Sequence, residues 1–253
     1  ASDVEEFARK GHQERVEPAD SRLTGGTLAY RGLRRKIGEH LVLSKRTAVH
    51  YTYIEEVDAS ALVKLRRDYV NSREGDRLTY LPFILKAVVS GLKRYPLLNS
   101  VLDEEKGEIR LLKRYDIGIA TATSEGLLVP VVRNVDSLRV LDIANEVDRL
   151  ARGARDGQLG AHELKGSTFT VTSLGPLGGI AATPVINYPE VAILSVHKIS
   201  PRPVVRDGEI VIREMMNLSL TCDHRVVDGA VAAEFLHHVI GLVERPGSLV
   251  LRD

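Results

Sequence analysis

Residues 216–223 set Met216, Leu218, Leu220 and Cys222 against Asn217, Ser219, Thr221 and Asp223 in strict alternation, the period of a strand with one buried face. Five residues later a second pattern begins at Asp228, where Gly229, Ala230, Ala232 and Ala233 lead into Phe235, Leu236, Val239, Ile240 and Val243 at helical spacing. A strand that hands its chain almost directly to a helix has to bury both apolar surfaces in one core, which constrains the fold to layers of sheet and helix. His224 extends the apolar row by one position. An imidazole there is expected to be partly desolvated, which disfavours its charged form and leaves a neutral ring able to take a proton near pH 7. Asp228 stands where an N-cap belongs, and capping is the commoner role of a lone aspartate in that position.

The rest of the chain repeats the mixture. Leu33, Ile37, Leu41 and Val42 predict an amphipathic helix, residues 51–57 a strand, and Ala61, Leu62 and Leu65 a second helix. Leu81, Ile84, Leu85, Val88 and Leu92 predict a strongly apolar third. Strands are expected at 109–112, 117–121, 127–132, 169–172 and 191–196, and a helix at 138–150. A hairpin should join 204–205 to 210–212 across Asp207-Gly208. These elements interleave without a regular βαβ rhythm, so the expected fold is α/β: a mixed β-sheet sandwich with helices packed on one face. Residues 1–26 are polar and charged, with Pro18, Gly25 and Gly26, and read as a linker or extended N-terminal arm. Residues 27–253 read as a single domain with a substantial core.

Charge and cysteine usage exclude several classes. Lys plus Arg number 35 against 34 Asp plus Glu, so no net field draws the chain to nucleic acid or to an anionic membrane. No apolar run approaches the roughly 18 residues of a membrane span, the start does not read as a signal or transit peptide, and a cytoplasmic location is expected. The single cysteine, Cys222, allows no internal disulfide, and the absence of a Cys/His cluster at ligand spacing leads us to expect no metal. Cys222 and His224 share a strand face, which with Asp228 invites comparison with a cysteine hydrolase. Neighbours on one face project in parallel rather than toward each other, and Cys222 belongs to the apolar row, so that reading is disfavoured.

A second segment suits chemistry. Phe169, Thr170, Val171, Thr172 and Ser173 form a β-branched strand that runs into the glycine-rich turn Gly175, Gly178 and Gly179, placing hydroxyls and free N–H groups at a strand end. Taken alone it is equally a flexible turn.

Asp223-His224-Arg225-Val226, then Asp228-Gly229-Ala230 and Phe235-Leu236, resembles the C-terminal signature of the dihydrolipoyl transacylases, the acyltransferase components of 2-oxo acid dehydrogenase complexes, which share the chloramphenicol acetyltransferase-like fold. Further segments are similar in the family's order: Gly32-Leu33-Arg34-Arg35-Lys36-Ile37, His50-Tyr51-Thr52-Tyr53-Ile54-Glu55-Glu56-Val57-Asp58, Tyr95-Pro96-Leu97-Leu98-Asn99, Gly126-Leu127-Leu128-Val129-Pro130-Val131, and Thr183-Pro184-Val185-Ile186-Asn187. Together they span about residues 27–253.

The resemblance implies acyl transfer between the thiol of dihydrolipoamide and coenzyme A, with His224 as general base, no covalent acyl-enzyme, and a hydroxyl that stabilises the tetrahedral intermediate. The family's Phe-Thr-Ile-Ser-Asn-x-Gly aligns that hydroxyl with Thr172, a departure from serine that stiffens the side chain, and leaves Ser173 as the competing hydroxyl. The carboxylate matching Asp228 anchors the active-site segment in the related fold, often through an arginine. Arg34 and Arg35 are candidates for that partner, though surface charge explains either. The family also implies a homotrimer, with the histidine of one chain facing the hydroxyl of the next, and trimers that build a cubic or dodecahedral core. Its lipoyl domain and peripheral-subunit-binding domain are not among these residues, so lipoate is expected as a substrate carried on a separate domain. The expected partners are that lipoyl domain and the dehydrogenase and dihydrolipoamide dehydrogenase components. Residues 55–66 look closer to the branched-chain or pyruvate type than to the 2-oxoglutarate type. The alternatives are a chloramphenicol acetyltransferase-like O-acyltransferase acting on a small-molecule hydroxyl, or mainly a structural core protein. Retention of His224 and Asp228 makes scaffolding an added role.

Overall fold

The computed structural model describes residues 25–250 apart from residue 28, residues 73–77 and residues 176–177. The expected arm, residues 1–26, therefore lies outside the described residues except for Gly25 and Gly26. The chain forms α1 (Gly32–Thr47), β1 (His50–Asp58), α2 (Ser60–Ser72), α3 (Leu81–Arg94), β2 (Ser100–Asp103), β3 (Glu108–Leu111), β4 (Ile117–Thr123), β5 (Gly126–Leu128), β6 (Val131–Val132), α4 (Val140–Arg155), β7 (Phe169–Ser173), β8 (Ala192–Val196), β9 (Ser200–Arg206), β10 (Glu209–Asp223), α5 (Gly229–Glu244) and the short α6 (Gly247–Val250).

The main sheet runs β1-β10-β8-β7-β4-β5, with β6 on β4 and β9 on β10. It is mixed: β4, β7 and β8 are parallel to one another, while β10 is antiparallel to β1, β8 and β9. β2 and β3 form a separate antiparallel pair. The two predicted stretches 210–212 and 216–222 are one strand, β10, whose first half pairs with β9 and whose second half lies between β1 and β8. The Asp207-Gly208 turn has both residues at positive φ, 52° and 84°, the conformation that matches the twist of a two-residue hairpin.

Met216, Leu218, Leu220 and Cys222 join Ala192, Leu194, Phe169, Val171, Ile117 and Ile119 on the core face, under Phe235, Leu236 and Val239 of α5 and the apolar side of α3. Helix α3 starts with Pro82 in its first turn, where the missing N–H costs nothing, and ends on Lys93 and Arg94, which suit the negative end of its dipole. It meets α5 so closely that a Cβ on Gly91 would come within 2.6 Å of the Phe235 ring, so a side chain there would push the two helices apart.

The opposite face departs from the simple half-buried strand. Asn217, Ser219, Thr221 and Asp223 are all buried, because their polar groups meet polar partners from neighbouring elements: Thr221 with Thr52 at 2.7 Å, Ser219 with His197 at 2.8 Å, Asn217 with Arg202 at 2.7 Å. Here the end of α1 is tacked down, with Ala48, Ile186 and Ile193 in a small second cluster and Ser44 Oγ donating to the Ile186 carbonyl at 2.6 Å. Nearby, Glu190 is 3% exposed, takes hydrogen bonds on Oε1 from Ser167 at 2.5 Å and Asn187 at 2.9 Å, and leaves Oε2 buried without a partner among the described residues. Burial pushes its carboxyl up to about 7.

Candidate active site

Strand β10 ends at Asp223, and the side chain of that residue organises the turn leading to α5. Its Oδ1 accepts from the N–H groups of Val49 and Arg225, each at 3.1 Å. The guanidinium of Arg225 grips both oxygens, through Nε at 3.0 and 3.1 Å and Nη2 at 2.6 Å. The N–H groups of Val226 and Val227 both donate to the Asp223 carbonyl at 3.0 Å. Burial opposes the carboxylate's charge, yet the bonds from Arg225 and Val49 hold its pKa below the ordinary value. Arg225 Nη1 reaches on to Glu104, in the β2–β3 turn, at 2.8 Å.

His224 sits inside this clamp. Its N–H donates to the Val49 carbonyl at 2.8 Å, and its side chain is exposed. Within the single chain the ring is therefore not desolvated by the apolar row: the strand stops one residue short, and the turn closed by Asp223 carries His224 out of it. Its ring lies 4.4 Å from that of Tyr51, at an interplanar angle of 44°, and the Tyr51 hydroxyl donates to the Asp228 carbonyl at 2.9 Å. Asp228 Oδ1 accepts the Val231 N–H at 3.0 Å, capping α5. Neither arginine named from the sequence pairs with that carboxylate among the described residues: Arg35 is bonded to Glu39 at 2.8 Å and Arg34 is exposed on α1. The arginine that anchors the segment is Arg225, and the carboxylate it holds is Asp223.

Thr172 is half-buried near the end of β7, in register with Ala120 and Ser195. Ser173 faces the other side of the sheet, and its hydroxyl accepts the Gly175 N–H at 3.3 Å, which ties it into the turn. Ser195 is in turn opposite Ser219, five residues before His224. At about 3.3 Å per residue along a strand and about 4.8 Å between strands, Thr172 and His224 of one chain stand on the order of 19 Å apart.

Cys222 is fully buried, and desolvation pushes its thiol up to about 12, which removes the thiolate a cysteine hydrolase needs. His50 is committed to structure, with Nδ1 on the Ala48 carbonyl at 2.9 Å and Nε2 accepting the Ile186 N–H at 3.1 Å. Among the described residues no three His, Cys, Asp or Glu side chains gather at metal-ligand distance. The sequence reading missed Asp223, Arg225 and Tyr51. The i, i+2 spacing of Asp223 and Arg225 across a strand end was a signal for the first two; nothing local pointed to Tyr51.

A mixed sheet with α3 and α5 packed on one face, a histidine-bearing turn after its long strand and a hydroxyl row two strands away define an acyltransferase-like α/β fold. The family model for the 2-oxoacid dehydrogenases acyltransferase (catalytic domain) matches residues 3–251, and the chain belongs to that family. It is 48% identical over 221 residues to the lipoamide acyltransferase component of the branched-chain alpha-keto acid dehydrogenase complex of Pseudomonas putida, a match covering 86% of this chain and 52% of the relative. The chain thus spans about half the length of the curated relatives it matches. A solved dihydrolipoamide acetyltransferase from Azotobacter vinelandii, in which a serine, a histidine and an asparagine were investigated for their role in the catalytic mechanism, superposes with a TM-score of 0.83 at 38% identity, covering 89% of this chain and 95% of the other. The cubic core of a pyruvate dehydrogenase multienzyme complex gives a TM-score of 0.83 at 39% identity, over 90% of this chain and 95% of the other. Chloramphenicol acetyltransferase, at 15% identity, a TM-score of 0.50 and coverage of 86% and 99%, shares the fold.

Proposed function

We propose that this chain transfers an acyl group between the thiol of dihydrolipoamide and coenzyme A, with His224 as general base, Thr172 as oxyanion donor and Asp228 fixing the start of α5 behind the base. The observation that carries the reading is a pair of intervals. Thr172, His224 and Asp228 are separated by 52 and 4 residues, as are the serine, histidine and asparagine of the Azotobacter vinelandii enzyme. A hydroxyl residue, a histidine and a side chain shaped like asparagine thus stand at the same intervals on a similar fold, which supports the reading.

A thiol with an ordinary pKa near 8.5 is mostly protonated at neutral pH. His224 takes the proton of the attacking thiol as its sulfur bonds to the acyl carbon, the carbonyl π electrons move to oxygen, and Thr172 donates to that oxyanion. Collapse restores the carbonyl, breaks the other carbon–sulfur bond, and returns the proton from the imidazolium to the departing sulfur. A preorganised donor at the oxyanion lowers such barriers by about 3 kcal/mol.

Base and donor both have to lie within hydrogen-bond reach of one thioester, and the separation within one chain is far longer. The reading therefore pairs His224 of one copy with Thr172 of the next in a homotrimer, the unit of a cubic or dodecahedral core. The apolar face of the β9–β10 hairpin supports association: Val205, Ile210 and Ile212 are 66%, 77% and 77% exposed in the single chain. A lipoyl domain then delivers the acyl group, and the dehydrogenase components are the further partners. Relatives of the branched-chain and pyruvate types favour a branched or acetyl group. Transfer rates to dihydrolipoamide from isobutyryl-, acetyl- and succinyl-CoA test the reading. The first or second should exceed the third, and absence of transfer from all three overturns it.

A further inference from the structure

We propose that Tyr51 is a positioning residue for His224: its ring holds the imidazole at a fixed inclination, and its hydroxyl, bonded to the Asp228 carbonyl, fixes the ring. The inference rests on the reading of His224 as general base and adds the group that orients it. The backbone of His224 is well tied, but among the described residues neither of its ring nitrogens has a hydrogen-bond partner. The carboxylate of Asp228, four residues on, caps α5 through Oδ1 and makes no hydrogen bond to the His224 ring among the described residues. An exposed histidine side chain has several staggered rotamers available, so orientation has to come from contact with the ring itself.

That contact is Tyr51. It stands on β1 directly opposite Cys222, two residues before His224, and its ring is within 4.4 Å of the imidazole, centroid to centroid, a separation at which aromatic rings attract and restrict one another. The hydroxyl at 2.9 Å from the Asp228 carbonyl spans the 223–228 turn. Burial, with Cys222 and Asp228 close by, raises the hydroxyl's pKa, so it remains a hydrogen-bond donor throughout the working pH range. Tyr51 thus joins β1 to the start of α5, with the base between. Orientation set before substrate arrives is worth rate rather than affinity, because misplacement of a catalytic group by about 1 Å can cost about a hundredfold.

The test uses the assembled protein, with acyl-CoA and dihydrolipoamide, and the variants Tyr51→Leu, Tyr51→Phe and His224→Ala. Tyr51→Leu removes ring and hydroxyl, and should lower kcat about tenfold while KM for both thiols stays within about twofold of the parent. Tyr51→Phe keeps the ring and loses the tie, so its kcat should fall about threefold, between parent and leucine variant. Parental kcat in the leucine variant, a phenylalanine variant no faster than leucine, or a loss confined to KM overturns the inference. Should the leucine variant not assemble, the phenylalanine variant decides alone, and parental kcat in it is the overturning result. His224→Ala separates the two readings. If it transfers acyl groups at the parental rate the base assignment fails, and if it is inactive while Tyr51→Leu is fully active only the role of Tyr51 fails.

Discussion

At the scale of single residues, the proposed chemistry divides between a base and a donor with different tolerances. His224→Ala should lower kcat by about a thousandfold, the usual contribution of a general base, in a protein whose far-ultraviolet circular dichroism is unchanged, since the side chain is exposed. Thr172→Val keeps shape and loses the hydroxyl, so kcat should fall about a hundredfold, whereas Thr172→Ser should stay within a few-fold of the parent because the donor survives. Steady-state transfer assays read both. His224 and Asp228 were legible in the sequence because one continuous segment carries them, at a strand-to-helix junction that periodicity reveals. Thr172 was visible only through the family pattern, since a β-branched strand before a glycine-rich turn is ordinary. Tyr51 was illegible because its proximity to His224 depends on β1 pairing with β10, whose Tyr51–Cys222 register joins positions far apart in the chain.

At the scale of elements, β10 is the longest strand among the described residues, and its last residue closes the turn that carries His224. Replacing the forked guanidinium of Arg225 by lysine keeps the charge but loses the bidentate grip on Asp223. Arg225→Lys should lower both kcat and the thermal midpoint, the two measured on the same preparation. Asp223→Asn should be worse, because Arg225, Val49 and the turn lose a buried acceptor together. The sheet's second face carries a different sensitivity. Glu190, raised by burial to about 7, holds its proton in the fold, so its contribution to stability is complete below its ordinary value and is lost as pH rises through about 7. His197 acts in the opposite sense. Burial lowers its pKa, and its contribution is present above the ordinary histidine value and lost as pH falls. The Glu190 contribution should therefore fall as pH rises from about 4.5 to about 7 and stay lost above that, and Glu190→Gln should remove this fall in the thermal midpoint, leaving the variant roughly 5 °C above the parent at pH 8.5. A parental pH profile in Glu190→Gln counts against this. Periodicity found the long helices and the Asp207-Gly208 hairpin. It missed β2, four residues with no room for a pattern, and treated the Ser/Thr face of β10 as solvent-facing, because alternation records polarity and not the polar partners that allow burial.

At the scale of the whole molecule, the register separates Thr172 from His224 by two strands and five residues, so the proposed pairing of base and donor requires contacts between copies. Two inactive proteins should then repair each other. His224→Ala chains supply an intact Thr172, and Thr172→Val chains supply an intact His224. In a ring closed by one repeated heterologous contact, random mixing at equal amounts places both intact groups at about one quarter of the contacts. Co-expressing the two variants with different affinity tags, isolating particles that carry both, and assaying transfer should give between about a quarter (many trimers per particle) and about a third (one trimer) of the parental kcat per site. Each variant mixed after assembly, without exchange of chains, should stay inactive. If base and donor instead met within one chain, every chain in the hybrid would carry one broken site and the co-expressed particles would show no recovery, which excludes a shared site without any need to know how many trimers the particle contains.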